Sequence, residues 1–117
     1  MHTFCHIELI TTDLTRSAEI YDKLFGWKTA PMMENYWMID LGADANGMSG
    51  GLLKLEKIVD NGGQNYVEVV DINATLAKAA TLGCKTVDEK RPLPENMGFI
   101  AMFELPDGYK LGLFSKE

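Results

Sequence analysis

Histidine is scarce in this chain of 117 residues: only His2 and His6 occur, and His2 sits near the amino terminus. A non-haem iron centre built from about two histidines and a carboxylate therefore lacks the ligands it needs. The two cysteines, Cys5 and Cys84, form neither a disulfide framework nor a CxxC pair for zinc. They read as buried free thiols in a reducing compartment. No apolar run approaches the roughly 20 residues that span a bilayer. The opening MHTFCHIELI lacks the basic segment of a secretory leader, so the cytoplasm is the expected location and no membrane partner is expected. Basic charge is also short, and a net charge of −6 argues against nucleic acid, which needs a basic stripe. No GxGxxG or P-loop spacing is present to cradle a phosphate.

What remains is an ordinary globular composition, 46% apolar and 24% charged, with one domain expected over residues 1–117. The chain states the same plan twice. Around residues 5–12 the residues alternate, with Cys5, Ile7 and Leu9 on one face and His6, Glu8 and Ile10 on the other. Asp13 stands where a helix N-cap belongs, Leu14, Ala18, Tyr21 and Phe25 follow at helical spacing, and Gly26 supplies the stop. The second half repeats this. Val67 and Val69 oppose Tyr66 and Glu68, Asp71 caps, Ile72, Leu76, Ala79 and Ala80 form the stripe, and Gly83 ends it.

Three strands are expected after each helix. They are 27–30, 36–41 and 51–57 in the first unit, and 85–87, 98–104 and 109–115 in the second. Pro106–Gly108 forms the last hairpin turn. The Gly-rich stretch Asp60–Gln64 links unit one (about 1–59) to unit two (about 64–117). Glu89–Asn96, with Pro92 and Pro94, reads as an exposed loop, and its Lys90 and Arg91 could meet an anionic ligand. The fold class is α+β, built from paired βαβββ units whose first strands bury one face beneath their helices. The opposite faces would then line a concave small-molecule site.

The residues "HIELITTDLTRSAEIYDKLFGW", "YVEVVDINATLAKAATLG" and the terminal "PDGYKLGLF" span nearly the whole chain. They resemble the glyoxalase/bleomycin-resistance/extradiol-dioxygenase group, also called the vicinal oxygen chelate superfamily. In its metal-using members the resemblance implies four ligands from the first and last strands of each unit. His6 matches the first of these. The second-unit counterpart is Gln64 when counted back from Asp71, or Asn65 if the missing residue lies in the strand; alternation favours Gln64. The glutamate expected after the PDG turn is replaced by Gly112. The equivalent first-unit position falls near Leu52 or Leu53, and Glu56 would reach it only with a shifted register. Family lactoylglutathione lyases carry an arginine four residues after the first ligand, where this chain has Ile10.

No cofactor is therefore expected, with at most a weakly held divalent ion on His6, Gln64 and Glu56. His6 and Glu8, about 6.5 Å apart on one strand face, are the catalytic candidates, as a base and its orienting partner. Tyr66, Glu68, Trp37 and Phe114 are the candidate ligand-binding residues. Alternation leaves open whether Tyr36 and Met38, or Trp37 and Ile39, face the cavity. The first expectation is a small-molecule-binding member of the superfamily, with an incomplete metal site and an acidic, aromatic cavity. The alternative is a divalent-metal glyoxalase-like lyase or isomerase, and the third is metal-free acid–base chemistry on His6 and Glu8. A homodimer is expected from the resemblance and from uncovered sheet edges.

Overall fold

The computed structural model describes residues 2–60 and 63–117, which divide between Ile58 and Val59 into two compact units. Asn61 and Gly62 of the expected linker lie outside the described residues.

In the first unit, β1 (His6–Thr11) leads into α1 (Leu14–Phe25), followed by β2 (Lys28–Met33), β3 (Tyr36–Asp40) and β4 (Ser49–Lys54). The sheet order is β1-β4-β3-β2, with β1 and β4 parallel and the other pairs antiparallel. Asp13 caps α1 by accepting from the Arg16 backbone N–H at 3.0 Å, and Gly26 ends the helix in the left-handed conformation with φ of 72°. Leu14, Ala18, Ile20 and Tyr21 on the helix are buried, as are Leu9, Ile39 and Leu52 on the sheet. Thr11 and Ser17, also buried, hydrogen-bond to each other at 2.7 Å, so neither hydroxyl is left unpaired in the core.

The second unit repeats the order with β5 (Tyr66–Glu68), α2 (Ile72–Thr81), β6 (Lys85–Pro92), β7 (Phe99–Glu104) and β8 (Lys110–Ser115). Its sheet runs β5-β8-β7-β6, again with only the first pair parallel. Asp71 caps α2 through the Ala74 N–H at 3.0 Å. The core holds Ile72, Ala79, Ala101, Phe103, Leu105, Leu111 and Leu113. The two caps are equivalent in geometry, so Asp13→Ala and Asp71→Ala are each expected to cost about 0.5–2 kcal/mol, read by urea unfolding.

Several sequence expectations are corrected. Glu89–Asn96 is not one loop: β6 continues through Pro92, and Pro94–Asn96 form a short 3₁₀ turn. The strand expected at 85–87 runs on to Pro92, and this extension carries no apolar alternation because nearly all of it is exposed. It is an edge strand, where proline is tolerated and charge guards against stray pairing. Ala80 is exposed rather than part of the buried helix stripe, and Cys5 is exposed while Cys84 is buried. No helix among the described residues is long and apolar enough to cross a membrane.

Candidate functional site

Register decides which side chains share a face. In the first sheet Ser49 pairs with His6, Gly51 with Glu8 on one side and Met38 on the other, and Leu53 with Ile10 and Tyr36 in the same way. Residues directly paired across strands point to the same side, so His6, Glu8, Ser49, Met38 and Tyr36 occupy one face. Trp37 pairs with Leu52, which pairs with Leu9, so it belongs to the opposite, core-side face. Of the two phases that alternation leaves open, the register selects Tyr36 and Met38 for the face of His6 and Glu8, so the ligand-binding candidate Trp37 lies on the other face. Tyr36 is the aromatic that joins them.

These side chains are connected. His6 Nδ1 lies 2.6 Å from Ser49 Oγ, and His6 Nε2 lies 2.7 Å from the Tyr36 hydroxyl. Glu8 Oε2 stands 3.5 Å from the same Nε2, beyond a good hydrogen bond, and instead accepts from the Tyr36 hydroxyl. Burial pushes the Tyr36 phenol above its ordinary value; its hydrogen bond to Glu8 and the Glu8 charge push it the same way. The histidine and tyrosine rings lie nearly parallel, 6.5 Å between centroids. All four groups are at least partly open to solvent, with the His6 side chain 31% and that of Glu8 45% exposed.

The tyrosine needs the glycine beneath it. A Cβ at Gly51 would overlap the Tyr36 hydroxyl and ring. The second unit uses the same device: a Cβ at Gly112 would lie 2.5 and 2.6 Å from the Tyr66 ring and 3.0 Å from the Asn65 carbonyl oxygen. Gly51 and Gly112 are register equivalents. Each lies across the parallel pair from a first-strand residue (Glu8 and Tyr66) and across the antiparallel pair from a methionine (Met38 and Met102). Gly51, rather than Leu52 or Leu53, is therefore the first-unit counterpart of Gly112.

In the second unit Tyr66 and Glu68 share a face with Phe114, which pairs directly with Glu68. Tyr66 is 48% exposed, and Glu68 Oε2 lies 3.9 Å from Lys116 Nζ. Glu68 and Lys116 border a cavity of about 290 Å³ together with Val69, Val70 and Glu117. Another cleft, of about 410 Å³, lies among Asn73, Leu76, Thr86, Glu89 and Lys90. It contains none of the candidate site residues except Lys90. Gln64 is exposed, and its amide nitrogen donates to the backbone oxygens of Asn65 and Lys110 at 3.2 and 3.4 Å. Glu56 is exposed and lies beyond the end of β4. Half-buried Tyr109 holds its proton above the ordinary range through desolvation, against the pull of its hydrogen bond with Asn65, with Asp107 adding to the rise.

The pattern described by the glyoxalase/bleomycin resistance protein/dioxygenase superfamily matches residues 3–113. The chain belongs to that superfamily. No curated protein matches it. Among solved structures it is similar to the fosfomycin resistance protein FosX of Listeria monocytogenes, complexed with Mn(II) and sulfate. That similarity has a TM-score of 0.78 at 14% identity, covering 98% of this chain and 90% of the other. A hypothetical protein of S. aureus gives 0.71 at 21% identity, covering 98% of both chains. A glyoxalase/bleomycin resistance protein/dioxygenase family enzyme of Burkholderia phytofirmans gives 0.77 at 10% identity, covering 99% of this chain and 100% of the other. At these identities the likeness establishes the fold.

The metal ligands of glyoxalase-type proteins do not fit the residues present. The two closing-strand positions are Gly51 and Gly112, and a tyrosine already covers each. Both ring nitrogens of His6 already have partners. Among the described residues no three His, Cys, Asp or Glu side chains gather closely enough to hold a metal ion.

Proposed function

We propose that the chain is a small-molecule-binding member of the glyoxalase/bleomycin-resistance superfamily whose site works without a resident metal. The observation that carries this reading is the pair of glycines on the closing strands, each roofed by a tyrosine. A carboxylate at Gly112 would need the space that the Tyr66 ring occupies. In place of ligands, each unit offers an aromatic beside a carboxylate, Tyr36 with Glu8 and Tyr66 with Glu68. Such linings suit cationic or amphipathic ligands through stacking and charge, and a net charge of −6 favours their approach. A cytoplasmic homodimer is the expected form, to be checked by sedimentation of the purified protein and by fractionation of the source cells.

A second reading, a divalent-metal lyase or isomerase using His6, Gln64 and Glu56, draws on the fold shared with FosX, whose crystals contain Mn(II). The two readings separate in one experiment. Chelator-treated protein is melted with Mn²⁺, Ni²⁺, Co²⁺ or Zn²⁺ beside a His6→Ala control. A ligand that binds only the folded state must raise the melting temperature. The expected result is no saturable, His6-dependent shift with any of the four ions. A shift that saturates and vanishes in His6→Ala would establish the lyase-type reading instead.

A further inference from the structure

The cleft between α2 and β6 lies on the other side of the second sheet from Tyr66 and Glu68. Thr86 pairs with the core residue Phe103, so it points to the side that α2 covers, whereas Tyr66 shares the row of Gly112 and Met102. Asn73 and Leu76 on α2 meet Thr86, Glu89 and Lys90 on β6 around a volume of about 410 Å³, within the range of small-ligand sites. Strict alternation would send the neighbours Glu89 and Lys90 to opposite faces, yet both line this cleft. A bulge explains it. From Asp88 to Arg91 β6 advances three residues while β7 advances two, from Met102 to Ile100. Bulges re-aim side chains in this way and are common beside functional sites.

One of the two charges is held in place. Lys90 is half-buried, while every other lysine of the chain is exposed. Its ammonium lies 4.6 Å from the centre of the Phe99 ring and donates to the Glu117 backbone oxygen at 3.3 Å. An ammonium has three hydrogens, so donors remain for a ligand, and part of the ordering cost of binding is already met. Among the described residues neither Glu89 nor Lys90 is ion-paired, with each other or with another side chain. Their charges sum to zero. An anion drawn to Lys90 is repelled by Glu89, and a cation meets the reverse, whereas a zwitterion satisfies both. Neighbouring residues stand about 3.8 Å apart along the chain, so the ligand's opposite charges must also be close, as on a single carbon. We propose that this cleft binds a free α-amino acid with an apolar side chain. Its carboxylate goes to Lys90, its ammonium to Glu89 and its side chain to Leu76, with Thr86 and Asn73 supplying neutral hydrogen bonds.

This site is separate from the one proposed above and stands whether or not a metal binds at His6. Its test titrates the full chain with L-leucine and follows backbone amide signals by NMR. Saturable shifts are expected at Asn73, Leu76, Thr86, Glu89 and Lys90 across the millimolar range. N-acetyl-L-leucine lacks the ammonium and L-leucinamide lacks the carboxylate. Each is expected to bind about 10-fold more weakly or worse, the effect of losing one hydrogen bond to a charged group. The aliphatic zwitterion 6-aminohexanoic acid, whose charges lie far apart, is expected to bind more weakly as well. Lys90→Met keeps its stem against Phe99 and should lose leucine affinity by the same factor. Glu89→Gln should lose leucine affinity but bind N-acetyl-L-leucine better than the parent does, because the repulsion is gone. The blocked ligands act on the parent protein, so a variant that folds poorly leaves the outcome decidable. Absence of saturable shifts at these residues, or equal binding of leucine and its two blocked forms, overturns the proposal. Unchanged leucine affinity in a folded Lys90→Met does the same.

Discussion

Phe103→Ala is expected to destabilise the protein by about 3–5 kcal/mol, the range for removing a buried aromatic side chain. Phe103 is fully buried at 0% exposure and lies between Thr86 and Leu111 in the sheet. Its neighbours two residues away on β7 and the β7–β8 turn, Ala101 and Leu105, are buried on the same face. Ala101 is too small to swell into the space a lost ring would leave. The loss is a large part of the 5–15 kcal/mol that an ordinary domain has in total, so urea unfolding should show a sharply lowered midpoint. Val87→Ala on the neighbouring edge strand supplies the contrast: with 42% exposure, its cost is expected to stay within about 0.5 kcal/mol. Equal effects at the two positions would mean that β7 does not carry the core of its unit.

The paired plan was legible because it rests on local rules. An aspartate before an apolar helical stripe has few uses besides capping, and both Asp13 and Asp71 accept the backbone N–H that a cap requires. Alternation likewise placed His6 and Glu8 together, and Tyr66 and Glu68 together, because a strand has only two faces. The missing closing-strand glutamate could be read directly at Gly112. Pairing between distant strands could not be read. Alternation along "NYWMID" admits two phases, and only the register of β3 against β4 selects Tyr36 over Trp37.

Ser49 was missed for a related reason. The strand seemed to begin at the glycine pair, yet it starts at Ser49, directly across from His6. A signal was available: counting back from Leu52 in steps of one places Ser49 on the same face as Gly51. The glycines hid it, because a residue without a side chain gives no sign of which face it serves. Their function became visible only with the tyrosine rings above them.

Gly51→Ala is expected to cost about 1–3 kcal/mol, the usual penalty for overpacking, read by urea unfolding. The new Cβ would overlap the Tyr36 hydroxyl and ring, so the ring must move. Once it moves, His6 Nε2 loses its partner at 2.7 Å and Glu8 loses its donor. Tyr36→Ala alone also breaks the chain, but it leaves Gly51 uncovered rather than overfilled. In the double variant the alanine Cβ no longer meets the tyrosine hydroxyl and ring, so the second substitution should cost far less than it does in the parent. The coupling measured by that cycle is expected to be about 0.5–3 kcal/mol, the range for residues in direct contact. Additive effects would mean that Tyr36 does not rest on Gly51. In that case the glycine would have no claim to a part in the site, and the tyrosine roof over the closing strand would lose its strongest support.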